Sequence, residues 1–380
     1  MYLENFSLIN YRNYESLKIN FSEQINLFSG SNAQGKTNLL EAIYYLAIGR
    51  AYRSIREDQL IKWGNDHFLI KGKVKNKAGH VNLEVILYGS KQLNKTKKVK
   101  KIKKELKVNG IKIRRMADFF GNLTAVLFCP ESLNIVKGAP TERRKLLDND
   151  ISQVSPSYFL QLQQYNQMLK QRNYLLKKII KSGLGFDELE IWDFQLKKIG
   201  EKIIKKRLQV LEKLTPLTRL MQRKLTGGRE NLEFKYFFNR VKEIKNGDNL
   251  KSIFSEEIKK VRKKELERGI TLWGPHRDDF LLTLNGINLK LYGSQGQQRT
   301  AVLAIKLAEL EFFKSESGEY PLLLLDDVLS ELDQERREYL FDIIQSKAIQ
   351  CFITTTEDIK PFLKNKNNFV SFYIKNGVLK

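Results

Sequence analysis

The sequence is poor in cysteine and histidine. Cys129 and Cys351 are its only cysteines, and neither belongs to a CxxC pair, which excludes a disulfide framework and a thiolate zinc site. The three histidines, His67, His80 and His276, are too scattered to build a metal cluster. No uncharged apolar run approaches the roughly 20 residues that cross a bilayer. The first fourteen residues carry Glu4 and lack the apolar core of a secretion signal. These absences predict a soluble protein of a reducing cytoplasm. Acidic residues are also short: 43 Asp and Glu face 67 Lys and Arg, a formal net charge of +24 over 380 residues. An excess of that size favours a polyanionic partner, either nucleic acid or an anionic membrane surface, and the basic footprint favours nucleic acid.

Hydrophobic patterning organises the chain. Leu3, Phe6, Leu8 and Ile9 sit among polar residues, and Leu17, Ile19 and Phe21 alternate with polar neighbours as in a half-buried strand. An apolar run at 25–28 leads to Gly30, and 39–47 has helical spacing, so the chain opens as strand, glycine-rich turn and helix. Residues 68–128 read as β-rich, with a type I′ hairpin turn at Asn109-Gly110 and a buried strand at 125–130. From 143 to 268 the pattern is helical and Lys/Arg-dense, broken at Gly183 and Gly185 into an antiparallel pair. Pro216 is expected to end or kink the second helix. After 269 an amphipathic helix (298–314), a buried strand (321–327), a helix (334–345) and a strand (348–356) follow, then a last alternating strand and a second Asn-Gly at 376–377. The expected fold class is α/β with a mixed sheet, split by an inserted helical arm. Its expected segments are 1–142, 143–268 and 269–380.

Two motifs carry chemistry. Gly30-Ser31-Asn32-Ala33-Gln34-Gly35-Lys36-Thr37 fits GxxxxGK[ST] at every specified position. Such glycines let backbone amides turn inward around phosphate oxygens, Lys36 reaches the β- and γ-phosphates, and the Thr37 hydroxyl ligates Mg²⁺. At usual residue frequencies the pattern arises by chance in only about one chain of this length in a hundred. The second motif is the strand ending in Asp326-Asp327: two carboxylates leaving an apolar run need a charged partner. Asp326 is expected to hold Mg²⁺ and Asp327 to orient the attacking water. Asn94-Lys-Thr-Lys97 lacks the acid that a guanine-reading motif needs, so ATP is the expected nucleotide.

Ahead of a helix stands Tyr292-Gly-Ser294-Gln295-Gly296-Gln297-Gln-Arg-Thr300, whose Ser294–Gln297 core resembles the signature loop of ABC ATPases. Ser330-Glu-Leu-Asp333 resembles their D-loop, and Asn32 within the phosphate loop is similar to SMC-type heads. Further blocks spread along the chain resemble the RecF family of recombination-mediator ATPases: 10–14, 138–144 with 146–148, 171–173 and 274–279. The resemblance implies an ABC-type P-loop head in which Ser294 and the amides around Gly296 cover the γ-phosphate bound by a second copy. It also implies an ATP-dependent homodimer that clamps DNA, slow DNA-stimulated hydrolysis, help in loading recombinase at gaps, and repair partners such as RecR and RecO. Two departures from the wider ABC pattern stand out. Asp327 replaces the usual Glu, one methylene farther from its water, which predicts turnover no faster than about 1 s⁻¹. Thr354-Thr355-Thr356 stands where many members place a His, so Thr355 is expected to sense the γ-phosphate by hydrogen bond.

Between 91 and 115 lie twelve basic residues and one acid, Glu105. Of these, Lys97, Lys98, Lys100, Lys101, Lys103, Lys104, Arg114 and Arg115 are the candidate DNA contacts; the bland alternative is a solvated face. Lys177, Lys178, Lys181, Lys205, Lys206 and Arg207 of the arm form a second candidate patch. Aromatics are not interleaved with the run, which favours sequence-independent backbone contact with duplex or a duplex–single-strand junction. Two other readings remain open: a transport ATPase subunit, and a repair scaffold with a vestigial ATPase.

Overall fold

The computed structural model describes residues 1–52, 56–89, 102–356, 359–362 and 369–379. The chain forms two compact units, Met1–Ser132 with Glu309–Lys380, and Leu133–Ala308. Elements are numbered along the chain.

The first unit opens with β1 (Tyr2–Tyr11) and β2 (Tyr14–Asn20), paired antiparallel with Leu8 opposite Leu17 and Phe6 opposite Ile19. β3 (Ile25–Ser29) and α1 (Lys36–Ile48) follow. β4 (His67–Asn76), β5 (Gly79–Tyr88), β6 (Lys103–Val108) and β7 (Ile111–Ile113) extend the first pair into an antiparallel sheet of order β2-β1-β4-β5-β6-β7. At its end Asn109 and Gly110 have φ of 52° and 79°, and Val108 pairs with Ile111: the two-residue turn expected of Asn-Gly.

The second sheet of this unit combines β3 with β8 (Ala125–Phe128), β13 (Leu322–Asp326), β14 (Cys351–Thr354), β15 (Phe369–Lys375) and β16 (Val378–Leu379), in the order β16-β15-β3-β14-β13-β8. All pairs are parallel except β15 with β16, so the sheet is mixed, as expected. β8, β13 and β14 are buried along their whole length, which is why their sequences are continuous apolar runs. α1 packs against β8, β13 and β14 on one side and β4 and β5 on the other. A helix held between two sheets is buried nearly all round, and α1 accordingly buries Leu39 through Ile48. α9 (Gln334–Ser346) starts with the Asp333 carboxylate accepting from the Arg336 amide at 3.0 Å.

The second unit contains α2 (Asn134–Lys137), α3 (Pro140–Val154), α4 (Pro156–Ser182), α5 (Phe186–Leu225), β9 (Leu232–Phe238), β10 (Lys242–Ile244), α6 (Leu250–Arg268), β11 (Asp279–Leu284), β12 (Ile287–Asn288), α7 (Leu289–Tyr292) and most of α8 (Gln295–Ser317). Gly183 caps α4 at φ 68° and Gly185 precedes α5 at φ 108°, so both glycines break the helical pair as read from sequence. Leu175, Leu176, Ile179 and Leu189 form the core beneath that turn. One expectation is narrowed and one corrected. Pro216 does not end its helix: α5 runs through it to Leu225, with no amide hydrogen at 216 to bond the Glu212 carbonyl. The stretch 143–268 is not all helix either. β9 and β10 interrupt it, and β9 pairs with β11, Asp279 opposite Phe237 and Leu284 opposite Leu232. That pairing ties residues beyond 268 to the insertion, so the second unit spans 133–308 where 143–268 was expected.

Three of the blocks that carried the family resemblance, 138–148, 171–173 and 274–279, supply members of buried ion pairs here. Arg143 donates to Asp279 at 2.7 and 2.8 Å, and Arg172 to Asp193 and Glu265 at 2.7 Å. Arg207 is 2% exposed, with its guanidinium on Asp148 at 3.0 Å, the Pro275 carbonyl at 2.7 Å and the Tyr236 hydroxyl at 3.2 Å. The Tyr236 hydroxyl in turn donates to Asp278 at 2.8 Å. His276, pushed down to about 3 by burial, is neutral and shares a 2.7 Å hydrogen bond with the Tyr165 hydroxyl. Arg207 is therefore a core residue, and the arm patch loses it as a DNA contact. Arg207→Met strands the Asp148 carboxylate and is expected to destabilise the fold by about 3–5 kcal/mol, measured by denaturant unfolding, with no change in DNA affinity of the folded fraction.

Candidate functional site

The parallel strands place three loops in one row. Phe28 of β3 is in register with Thr354 of β14, and Thr354 with Asp326 of β13. The glycine-rich loop, the Thr354 end and the Asp326-Asp327 end therefore all leave the carboxyl edge of the sheet, where open α/β sheets bind ligands.

The loop at 30–37 is held by backbone geometry that only glycine allows. Gly30 has φ 142°, and a Cβ there would lie 2.4 Å from the Ile374 carbonyl oxygen of β15. Gly35 has φ 114°, and its Cβ would meet Asn13 Nδ2 at 2.5 Å. Lys36 Nζ lies inside the curve of the loop and donates to the carbonyls of Gly30 and, at 3.0 Å, Ser31. Burial lowers the Lys36 pKa, opposed by the charges of Asp327 and Asp326.

The loop also has props that the motif does not specify. The Tyr14 hydroxyl donates to the Gly35 carbonyl at 2.9 Å, and Asn13 Nδ2 donates to the Gln34 carbonyl at 3.0 Å. Asn13 Oδ1 accepts from Asn38 in α1 at 2.8 Å. From the other end of the chain, the Asn376 amide donates to Gln34 Oε1 at 2.7 Å and the Gly377 amide to the Gln34 carbonyl at 3.0 Å. Behind the loop, Arg12 donates to the fully buried Glu41 carboxylate from Nε and Nη2 at 3.0 and 2.9 Å. These roles are not legible in the sequence, where the 10–14 block carries only a family resemblance and Asn376-Gly377 only a turn signal.

Asp326 is 2% exposed, and its Oδ1 accepts the Thr37 hydroxyl at 2.9 Å and the Thr354 hydroxyl at 2.7 Å. Thr37 and Asp326 thus present neighbouring oxygens beside the phosphate loop, a donor set suited to Mg²⁺, which takes one or two protein ligands and completes its shell with phosphate and water. Asp327 is exposed and left-handed at φ 54°. Its amide donates to the Thr354 carbonyl at 3.2 Å and to Thr354 Oγ1 at 3.1 Å, which fixes the backbone from which its carboxylate projects. Thr354 is the threonine that meets the acids; the Thr355 amide is committed to the Phe28 carbonyl at 3.3 Å. Ser330 Oγ donates to the Asp327 carbonyl at 3.1 Å.

In the second unit, residues 294–297 start α8. Ser294 Oγ accepts from the Gln297 amide at 3.2 Å and the Ser294 amide donates back to Gln297 Oε1 at 2.9 Å, a reciprocal cap. Ser294, Gln295 and Gly296 are exposed.

Of the candidate DNA contacts, Lys97, Lys98, Lys100 and Lys101 lie outside the described residues, as does the 94–97 segment. Lys104 turns inward: Nζ donates to the Gly49 carbonyl that ends α1 and to Glu57, both at 2.7 Å, and its pKa is lowered by burial. Lys103 and Lys112 share Glu105, Lys107 meets Glu84, and Arg115 pairs with Asp118. Lys103, Arg114 and Arg115 remain exposed. Charge along the run leaves out the acids beyond it: Glu57 and Glu84 from elsewhere in the fold, and Asp118 just past its end. Among the described residues, no helix is long and apolar enough to cross a membrane.

The sequence model of the RecF/RecN/SMC N-terminal domain family matches residues 2–380. The DNA replication and repair protein RecF of Alkaliphilus oremlandii is 44% identical, with 99% of each chain covered. Its counterpart from Clostridium kluyveri is 42% identical at the same coverage. A solved structure of the recombination mediator protein RecF with ATP, in the RecFOR pathway, superposes at a TM-score of 0.88 and is 37% identical, covering 100% of this chain and 97% of that one. The Smc head domain of Pyrococcus furiosus shares the fold alone, at a TM-score of 0.55, 17% identity, and coverage of 100% of this chain and 95% of that one. With a family model that matches nearly the whole chain and relatives this similar over nearly their whole length, the chain belongs to the RecF family.

Proposed function

We propose that two copies of this chain close on DNA when ATP is held between the phosphate loop of one and residues 294–297 of the other, and that slow hydrolysis lets them part. One observation carries this reading. Gly296 has ordinary helical space around it: a Cβ there would have Ser294 Oγ, at 4.0 Å, as its nearest neighbour. Nothing in its own subunit demands glycine, whereas Gly30 and Gly35 are demanded by theirs. A bare, exposed backbone at the start of a helix suits an anion arriving from outside.

In this reading Lys36 exchanges the carbonyls of Gly30 and Ser31 for β- and γ-phosphate oxygens, a stronger, charge-assisted pairing. The loop amides take the remaining phosphate oxygens, and Ser294 with the amides of Gln295 and Gly296 covers the γ-phosphate in the other copy. Thr37 and Asp326 would hold Mg²⁺, which when bound offsets phosphate charge. Asp327, carried on a backbone pinned by Thr354, orients the water, and Thr355 senses the γ-phosphate. The short reach of Asp327 makes the ATPase slow, and DNA, by favouring the closed pair, stimulates it.

DNA is contacted along its phosphates by Lys103, Arg114 and Arg115, together with Lys97, Lys98, Lys100 and Lys101. Surface pairs such as Arg115–Asp118 are worth roughly 0–1 kcal/mol, so a phosphate replaces the carboxylate at little cost. The protein acts in the cytoplasm on the nucleoid, at duplex or duplex–single-strand junctions, and with partners such as RecR and RecO helps load recombinase at gaps.

Light scattering tests the clamp. The protein is expected to be a monomer without nucleotide and a dimer with ATP, and the dimer should be favoured further by a short duplex. DNA affinity of the ATP state should fall linearly on a log–log plot against salt. A monomer throughout, despite measured ATP binding, replaces the clamp with a scaffold; a salt slope near zero removes the phosphate contacts.

A further inference from the structure

The link between α5 and β9 lies beside the reciprocal cap of α8. Glu230, in that link, accepts two hydrogen bonds on separate carboxylate oxygens. Gln222 Nε2, from the last turns of α5, donates to Oε2 at 2.7 Å, and Gln297 Nε2 donates to Oε1 at 2.9 Å. Gln222 is fully buried, so this contact fixes Glu230 against the arm helix. The residues on either side of Glu230 are tied down too, by the turn between β11 and β12. Asn285 Oδ1 accepts the Asn231 amide at 2.8 Å, the Asn285 amide donates to the Asn231 carbonyl at 2.9 Å, and Asn285 Nδ2 donates to the Arg229 carbonyl at 3.2 Å.

Glu230 thereby decides which way the Gln297 amide faces. An amide has one oxygen and one nitrogen; with its nitrogen on Glu230, its oxygen must turn the other way, where it meets the Ser294 amide. That bond and its return, from the Gln297 amide to Ser294 Oγ, set the direction of the Ser294 hydroxyl. We infer that Glu230 is a positioning residue for the trans ATP site: it connects the arm helix α5 to residues 294–297 and holds Ser294 in the orientation that meets the γ-phosphate of the other copy. This rests on the clamp reading above. It adds a route by which strain on the arm alters ATP closure without touching the phosphate loop.

Glu230→Gln breaks the arrangement with little change of shape. A glutamine offers one acceptor oxygen, so it cannot serve the amides of Gln222 and Gln297 on separate oxygens. The full-length variant is expected to bind ATP as a monomer with unchanged affinity, since the phosphate loop is intact. Its ATP-induced dimerisation, read by light scattering, should weaken about tenfold, the scale of a lost hydrogen bond to a charged group. Unfolding measurements on the same variant should show fold stability changed far less than dimerisation, which a merely structural role would not give. Gln297→Ala removes the link itself. If it leaves ATP-induced dimerisation unchanged, the positioning role is overturned while the clamp, which rests on Ser294 and the amides of Gln295 and Gly296, stands; a parent protein that stays monomeric with ATP is what overturns the clamp. If it weakens dimerisation while Glu230→Gln does not, the clamp stands and the positioning role is overturned. A loss in Glu230→Gln that only follows a loss of fold stability also overturns it.

Discussion

Asp327→Asn is expected to leave ATP affinity within about twofold of the parent while slowing hydrolysis at least a hundredfold, the lower end of what a positioned general base contributes. Asparagine keeps the shape and the backbone bonds to Thr354 but cannot accept the proton of the attacking water. Lys36, Thr37 and Asp326, which hold the nucleotide in the proposed reading, are untouched. The ATP-bound pair should then persist for the length of a light-scattering run, and added duplex should raise the dimer fraction. Fast hydrolysis by the variant would show that Asp327 does not orient the water. Slow hydrolysis without a lasting dimer would separate the chemistry from the clamp.

Gly296→Asp should have an effect as large, in the opposite direction. Within its own subunit the substitution is benign: the Cβ meets nothing nearer than 4.0 Å, and a carboxylate in the first turn of α8 opposes the positive end of the helix favourably. Unfolding measurements should show equal or slightly greater stability. Across the dimer the same carboxylate would face the γ-phosphate. Two unit charges about 4 Å apart at an effective dielectric of 20 repel by about 4 kcal/mol, close to a thousandfold in dimerisation. ATP binding by the monomer should be unchanged when measured by titration. If the variant dimerises normally with ATP, residues 294–297 do not meet the nucleotide of the other copy.

The two substitutions bear on residues that differ in how plainly the sequence shows them. The phosphate loop is legible because its chemistry is contiguous: eight consecutive residues supply the glycines, the lysine and the hydroxyl. The parallel strands are legible because burial on both faces leaves no room for polar residues, as in 322–325. What supports the loop is illegible because it is remote, with Tyr14 on one side and Asn376 and Gly377 on the other. β9 left a readable trace, the alternation of Leu232, Phe234, Tyr236 and Phe238, hidden by the helices around it. Arg207 left one as well: it falls in the buried stripe with Ile203, Ile204, Leu208 and Leu211, where an arginine signals a buried partner. The basic run is legible only in part for a different reason: charge read along the chain leaves out the acids across it, and Lys104 and Lys107 are answered there by Glu57 and Glu84.

The order of strands in the parallel sheet has a consequence for how this protein is made. β3 is complete by Ser29, yet its two neighbours, β14 and β15, begin only at Cys351 and Phe369. At about 5–20 residues per second, a ribosome needs tens of seconds to bridge that interval. Throughout it the apolar strand and the loop it carries lack the partners that shape them, and an unpaired strand edge is prone to mispairing. The nucleotide site is therefore among the last features to form, well after β1 and β2, which pair locally. A ribosome stalled late in the message would release a chain with a complete phosphate-loop sequence and no phosphate loop.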